Sequence, residues 1–89
     1  MPYRIEVAEW IGALRFRLRY DDGAAGVVDL APEVGDEPGM LAVIRDRPGD
    51  VTVAPRGWAL LWLTDSGAEV DLCADALRLL LHADQAAAE

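Results

Sequence analysis

Lysine is absent from this chain, and all eight basic residues are arginine. Sixteen acidic residues outnumber them and leave a net charge of −8. That balance excludes the basic footprint that phosphate backbones require, so no direct nucleic-acid binding is expected. A basic protein partner suits the charge, as does simple solubility. Cysteine occurs once, as Cys73, which excludes an intramolecular disulfide framework. Its neighbours Leu72, Ala74 and Leu77 predict a buried structural thiol. Histidine also occurs once, as His82. Metal or acid–base work needs a companion group, and a place near the negative end of a helix dipole accounts for His82 more simply. Long apolar runs are missing: nothing reaches a bilayer-spanning length. Arg4, Glu6 and Glu9 interrupt anything resembling a signal peptide. A cytoplasmic protein with no membrane segment is expected. Phosphate loops and dinucleotide fingerprints do not occur. Ser66-Gly67 is a turn rather than a nucleophile elbow, since no Gly-x-Ser-x-Gly surrounds it.

What is present is alternation. Leu14, Phe16, Leu18 and Tyr20 alternate with Arg15, Arg17 and Arg19, the period of a strand with one buried and one wet face. Asp21-Asp22-Gly23 fits a three-residue hairpin loop with Gly23 at the positive-φ position. Closing Tyr20 on Ala24 sets Phe16 beside Val28, Leu14 beside Leu30 and Arg15 beside Asp29. Tyr3 to Ala8 reads as a preceding strand with Ile5 and Val7 inward. A register matching Val7 to Phe16 and Ile5 to Leu18 keeps the apolar residues together and sets Glu6 opposite Arg17.

Pro32 to Pro38 breaks the pattern. Gly39 to Asp46 has room for two helical turns closed by Pro48, with Met40, Leu41, Val43 and Ile44 toward the sheet. A strand is the alternative there, because Val and Ile favour it. Val51 to Ala54 and Trp58 to Leu63 form a second hairpin around Pro55-Arg56-Gly57. Trp58 to Leu63 is apolar on both faces, which predicts a central strand covered on both sides or one with a face in an interface. Glu69 to Leu72 reads as a short strand. A helix follows from about Ala74 to Ala83, with Asp71 or Cys73 near its start and a stripe of Leu77, Leu80 and Leu81.

Residues 1–84 are thus expected to form a single α+β domain, with 85–89 a frayed tail. The expected fold is a mostly antiparallel sheet of two β-hairpins, a short middle helix, and a C-terminal helix packed on one face. Of the 53% apolar residues, fifteen alanines bury little each. A domain this small hides only about 60–65% of its unfolded surface. A homodimer is therefore a further expectation, against which a concentration-independent monomer mass would count.

Candidate chemistry is sparse, and no catalytic residue, cofactor or metal is assigned. The stripe Arg15, Arg17 and Arg19 is a candidate partner-binding surface, set against a solvated face paired with Glu6 and Asp29. Trp58 and Trp62 share a strand face with Leu60 by parity, as sheet core or as an interface. The acids Asp65, Glu69, Asp71 and Asp75 are the densest run. They support an alternative reading as a small-molecule or divalent-metal site, although no calcium-loop pattern occurs.

Leu18-Arg-Tyr-Asp-Asp-Gly23 followed by Val27-Val-Asp-Leu30 resembles the bacterial family of domain of unknown function 2442. Ile44-Arg-Asp46 before Val51 to Val53 is similar to its middle segment. Trp62, Gly67, Asp71-Leu72 and Asp75-Ala-Leu77 are similar to its ending. The resemblance covers residues 3 to 81 and implies an α+β fold with no established activity. Some members carry an added helix-turn-helix domain, and none is expected within these residues. Others are encoded beside a small partner, as in toxin–antitoxin pairs. The function expected is a non-enzymatic, antitoxin-like protein-binding or regulatory accessory module whose partner is encoded nearby.

Overall fold

The computed structural model describes residues 3–35 and 42–88, with side chains as far as residue 81. Three strands, β1 (Ile5–Trp10), β2 (Arg15–Tyr20) and β3 (Ala25–Asp29), form an antiparallel sheet in that order. Two short helices follow, α1 (Ala31–Val34) and α2 (Ala42–Asp46). A second antiparallel sheet holds β4 (Thr52–Val53), β5 (Ala59–Leu63) and β6 (Glu69–Cys73), and α3 (Ala74–Ala88) follows it. The α+β class and the antiparallel pairing match the sequence-based expectation. In place of one sheet of two hairpins there are two three-stranded sheets, because a third strand completes each hairpin. Each half runs three strands and then helix, and each carries Val-Asp-Leu around the end of its last strand, at residues 28–30 and 70–72. Among the described residues no helix is long and apolar enough to cross a membrane.

The β2–β3 hairpin follows the predicted register, with Phe16 opposite Val28 and Arg15 opposite Asp29. Loop length decides it. The Tyr20 amide donates to Ala24 O and the Gly23 amide to Tyr20 O, with Gly23 at φ 92°. The Asp22 carboxylate accepts the Ala24 amide at 3.1 Å and holds the turn. Phe16, Leu18 and Tyr20 are buried and the arginines between them exposed.

The β1–β2 register differs from the expected one. Trp10 lies opposite Phe16 and Ala8 opposite Leu18. Positive φ at Gly12 and Ala13 closes a tight turn, in which the Ile11 amide donates to Arg15 O, so β1 pairs all the way to Trp10. Ala8 and Trp10 then share the sheet face of Leu18 and Phe16. A bulge between Ile5 and Val7 adds one residue and returns Ile5 to the core. Val7, expected inside, faces water as a result.

The second sheet repeats the turn device. The Thr64 amide donates to Ala68 O, the Gly67 amide donates to Thr64 O, and Gly67 has φ 86°. In the hairpin before it, Arg56 and Gly57 both take positive φ within Pro55–Gly57. Gly57 lies against the Ile5 backbone and so presses the second sheet's loop onto β1.

The helices cover the shared core of Phe16, Leu18, Leu30, Ile44, Leu60 and Trp62. The α1 turn lies inside the stretch read as a break: Pro32 sits in its first turn, where the missing N–H costs nothing. The Asp29 carboxylate accepts the Ala31 amide at its start. α2 is helical rather than extended and buries Val43 and Ile44; Met40 and Leu41 lie outside the described residues. α3 packs against β3 and runs to Ala88, past the expected end at Ala83 and into the stretch expected as a tail. Among its described side chains, those of Ala74, Leu77, Arg78 and Leu81 are buried.

Candidate functional site

The arginine stripe is on the wet face of β2, as its alternation dictates, but its acidic neighbours differ from those expected. The register at β1 brings Glu9 to Arg17 at 2.8 Å and Glu6 to Arg19 at 3.4 Å. Glu6 was expected beside Arg17, and Arg19 was expected to lack a cross-strand acid. Arg15 lies opposite Asp29, as predicted. Exposed pairs of this kind contribute about 0–1 kcal/mol each. They neutralise the stripe and leave little charge to grip a partner.

The two tryptophans separate. Trp62 is in the core, edge-to-face on Phe16 with ring centroids 5.7 Å apart, and its Nε1 donates to Pro48 O. It offers no surface to a partner. Trp58 precedes β5 in a helical conformation after the positive-φ pair, so strand parity does not reach it. It is exposed, and its carbonyl accepts the Ala74 amide.

The surface that remains is the outer face of the second sheet. Leu61 and Leu63 of β5 point there, Leu61 half-buried and Leu63 59% exposed. Thr52 and Asp71 flank Leu61, and Glu69 flanks Leu63. Beside Leu63 a shallow, open depression is lined by Arg47, Asp50, Thr52 and Thr64. Arg47 is tied there to Asp65 at 2.9 Å.

The acids read as a cation site do not converge. Asp65 pairs with Arg47, Asp75 accepts the Tyr3 amide at 2.8 Å, and Glu69 and Asp71 point outward from β6. Among the described residues no group of three or more His, Cys, Asp or Glu is placed to hold a metal ion. Cys73 is exposed, contrary to the buried thiol expected. Its sulfur accepts the Ala76 amide at 3.4 Å and so occupies a capping place at the start of α3. The His82 side chain lies outside the described residues.

Sequence reasoning missed the densest polar cluster. The Arg78 guanidinium lies 4.3 Å from the Tyr3 ring centroid and 4.9 Å from that of Tyr20. Its Nη1 pairs with Asp22 at 3.0 Å. The Tyr20 hydroxyl donates to Ala74 O at 2.9 Å. The cluster joins the first hairpin turn, the N-terminal segment and α3. The signal was available: Ala74, Leu77, Arg78 and Leu81 are spaced i, i+3, i+4, i+7, so Arg78 lies on the core stripe in place of Leu80.

This cluster sets two pH limits. Burial pushes the Tyr20 hydroxyl from 10.0 up to about 12, against the opposing pull of Arg78. Its folded pKa is raised, so the stability it contributes is complete below pH 10.0 and is lost as pH climbs toward about 12. The Asp22 carboxylate is held below its ordinary 3.8, first by the Ala24 amide and then by Arg78. Its contribution is present above that value and disappears as pH falls through the lowered one. A tyrosinate absorbance titration is expected to show Tyr20 ionising only as near-UV circular dichroism collapses. Ionisation at its ordinary pH with the fold intact would contradict this.

No family model matches the chain, and no curated protein and no solved structure matches it.

Proposed function

We propose that this protein is a non-enzymatic module that binds another protein, a regulatory accessory of the antitoxin kind acting in the cytoplasm. The observation that carries the reading is the outer face of β5. A central strand holds Leu61 and Leu63 on its solvent side, with no described element over them. Burying an exposed leucine contributes about 1.5–3 kcal/mol, so a partner that covers Leu63 gains directly from it. The net charge of −8 favours a basic partner and speeds its encounter. The resemblance to the domain of unknown function 2442 family supports the same reading, since some members are encoded beside a small partner.

The test is co-expression with the product of the adjacent gene, followed by pull-down. Capture is expected, and Leu63→Glu is expected to weaken it at least tenfold while leaving the melt within about 0.5 kcal/mol of the parent. Failure to capture any neighbouring product would sink the proposal. A second copy of the chain is the competing cover for Leu63, and sedimentation equilibrium separates the two.

A further inference from the structure

We infer that β6 is a docking edge, which takes an extended basic segment of a partner protein as a fourth strand of the second sheet. The inference deepens the protein-binding reading and rests on it. β6 is the terminal strand of its sheet. Thr64 bonds to Ala68 at one end of its pairing with β5, and Ala74 to Trp58 at the other. Antiparallel pairs alternate between bonded and non-bonded positions. Val70 and Leu72 therefore turn their backbone groups toward β5, and the opposite set turns away. Glu69 and Asp71 aim both N–H and C=O outward, and Cys73 its N–H. Among the described residues nothing pairs with these groups.

The side chains along this edge define the occupant. Glu69 and Asp71 are exposed on the outer face of the sheet, while Val70 and Leu72 face inward. An added strand sets alternate residues beside the two carboxylates and the others beside Leu72. Basic residues alternating with apolar ones match both rows. A second copy does not match. Two β6 strands paired about a two-fold axis at Asp71 would place Asp71 against itself, and each copy already carries a charge of −8. Like charges directly opposite are destabilising.

A capped peptide of alternating Lys and Val is the probe, titrated into the full chain. Amide hydrogen exchange is the readout, with the reaction rate of the single thiol at Cys73 as a second. Slowed exchange at Glu69, Asp71 and Cys73 is expected, with slower thiol reaction. Asp71→Pro should abolish both effects. Proline at this place removes an outward N–H and leaves the bonds to β5 intact. Glu69→Gln with Asp71→Asn should weaken binding about two- to tenfold. Should Asp71→Pro fail to fold, the exchange pattern of the unmutated chain decides. No protection at millimolar peptide overturns the inference, as does equal protection by a Glu-Val peptide, or dimers that Asp71→Pro dissolves. Capture of a neighbouring gene product that Leu63→Glu destroys and Asp71→Pro spares overturns strand addition alone. Edge protection by the peptide with no product captured keeps the edge and removes the regulatory reading.

Discussion

Trp62→Ala is expected to lower the unfolding free energy by about 3–5 kcal/mol. The indole is 1% exposed in the central strand of the second sheet. It rests edge-to-face on Phe16 of the first sheet, so removing it opens a cavity between the two layers. It also leaves the Pro48 carbonyl without its Nε1 donor. Trp62→Phe keeps a ring against Phe16 and should cost less, about 1–3 kcal/mol. Urea unfolding would record both as a lower midpoint at unchanged slope. The same variants separate core from interface. A tryptophan that served a partner alone could be truncated with a stability change within about 0.5 kcal/mol.

Gly57→Ala is expected to be comparably severe for a different reason. Gly57 has φ 74°. An added Cβ would sit 2.8 Å from the Ile5 nitrogen, and closer still to the Ile5 carbonyl oxygen. Both neighbours are main chain in a hydrogen-bonded strand, so neither can rotate away. Left-handed strain alone costs about 1–2 kcal/mol; the backbone collision should raise the total to about 3–5 kcal/mol. Gly23→Ala is the matched control. Gly23 has φ 92° with nothing within 4 Å of the added carbon. It should show the conformational cost alone. Equal losses at the two glycines would mean that the Gly57–Ile5 contact carries no weight.

What the sequence revealed depended on whether local chemistry decided the geometry. The β2–β3 register was legible because Asp21-Asp22-Gly23 permits few closures and strand parity then does the rest. The β1 register was not, because its turn needs Ala13 at φ 48°. Alanine carries no signature of the left-handed region, and a bulge two turns of the pleat away leaves no composition behind. Trp58 failed for a related reason: parity applies only once the strand has begun, and it begins at Ala59. Arg78 was left out because the stripe was drawn through the leucines alone, although two aromatic rings and a carboxylate receive the charge. For the candidate surface, the wet faces were readable from alternation. The apolar row at Leu61 and Leu63 was readable as one of two alternatives, a strand face left for an interface; the free edge at β6 was not, since it depends on which elements the fold leaves off.

The joining of Arg78 to Asp22, across 56 positions of sequence, bears on how the chain is made. Translation delivers the first meander whole, with every hydrogen bond of its own ladder within reach, but the helix that covers β3 follows all six strands. Until it leaves the ribosome, the apolar side of β3 lacks its covering helix. Such a surface invites chaperones and proteases. Truncation within α3 should therefore be read out as degradation in the cell well before it is read out as a lost activity.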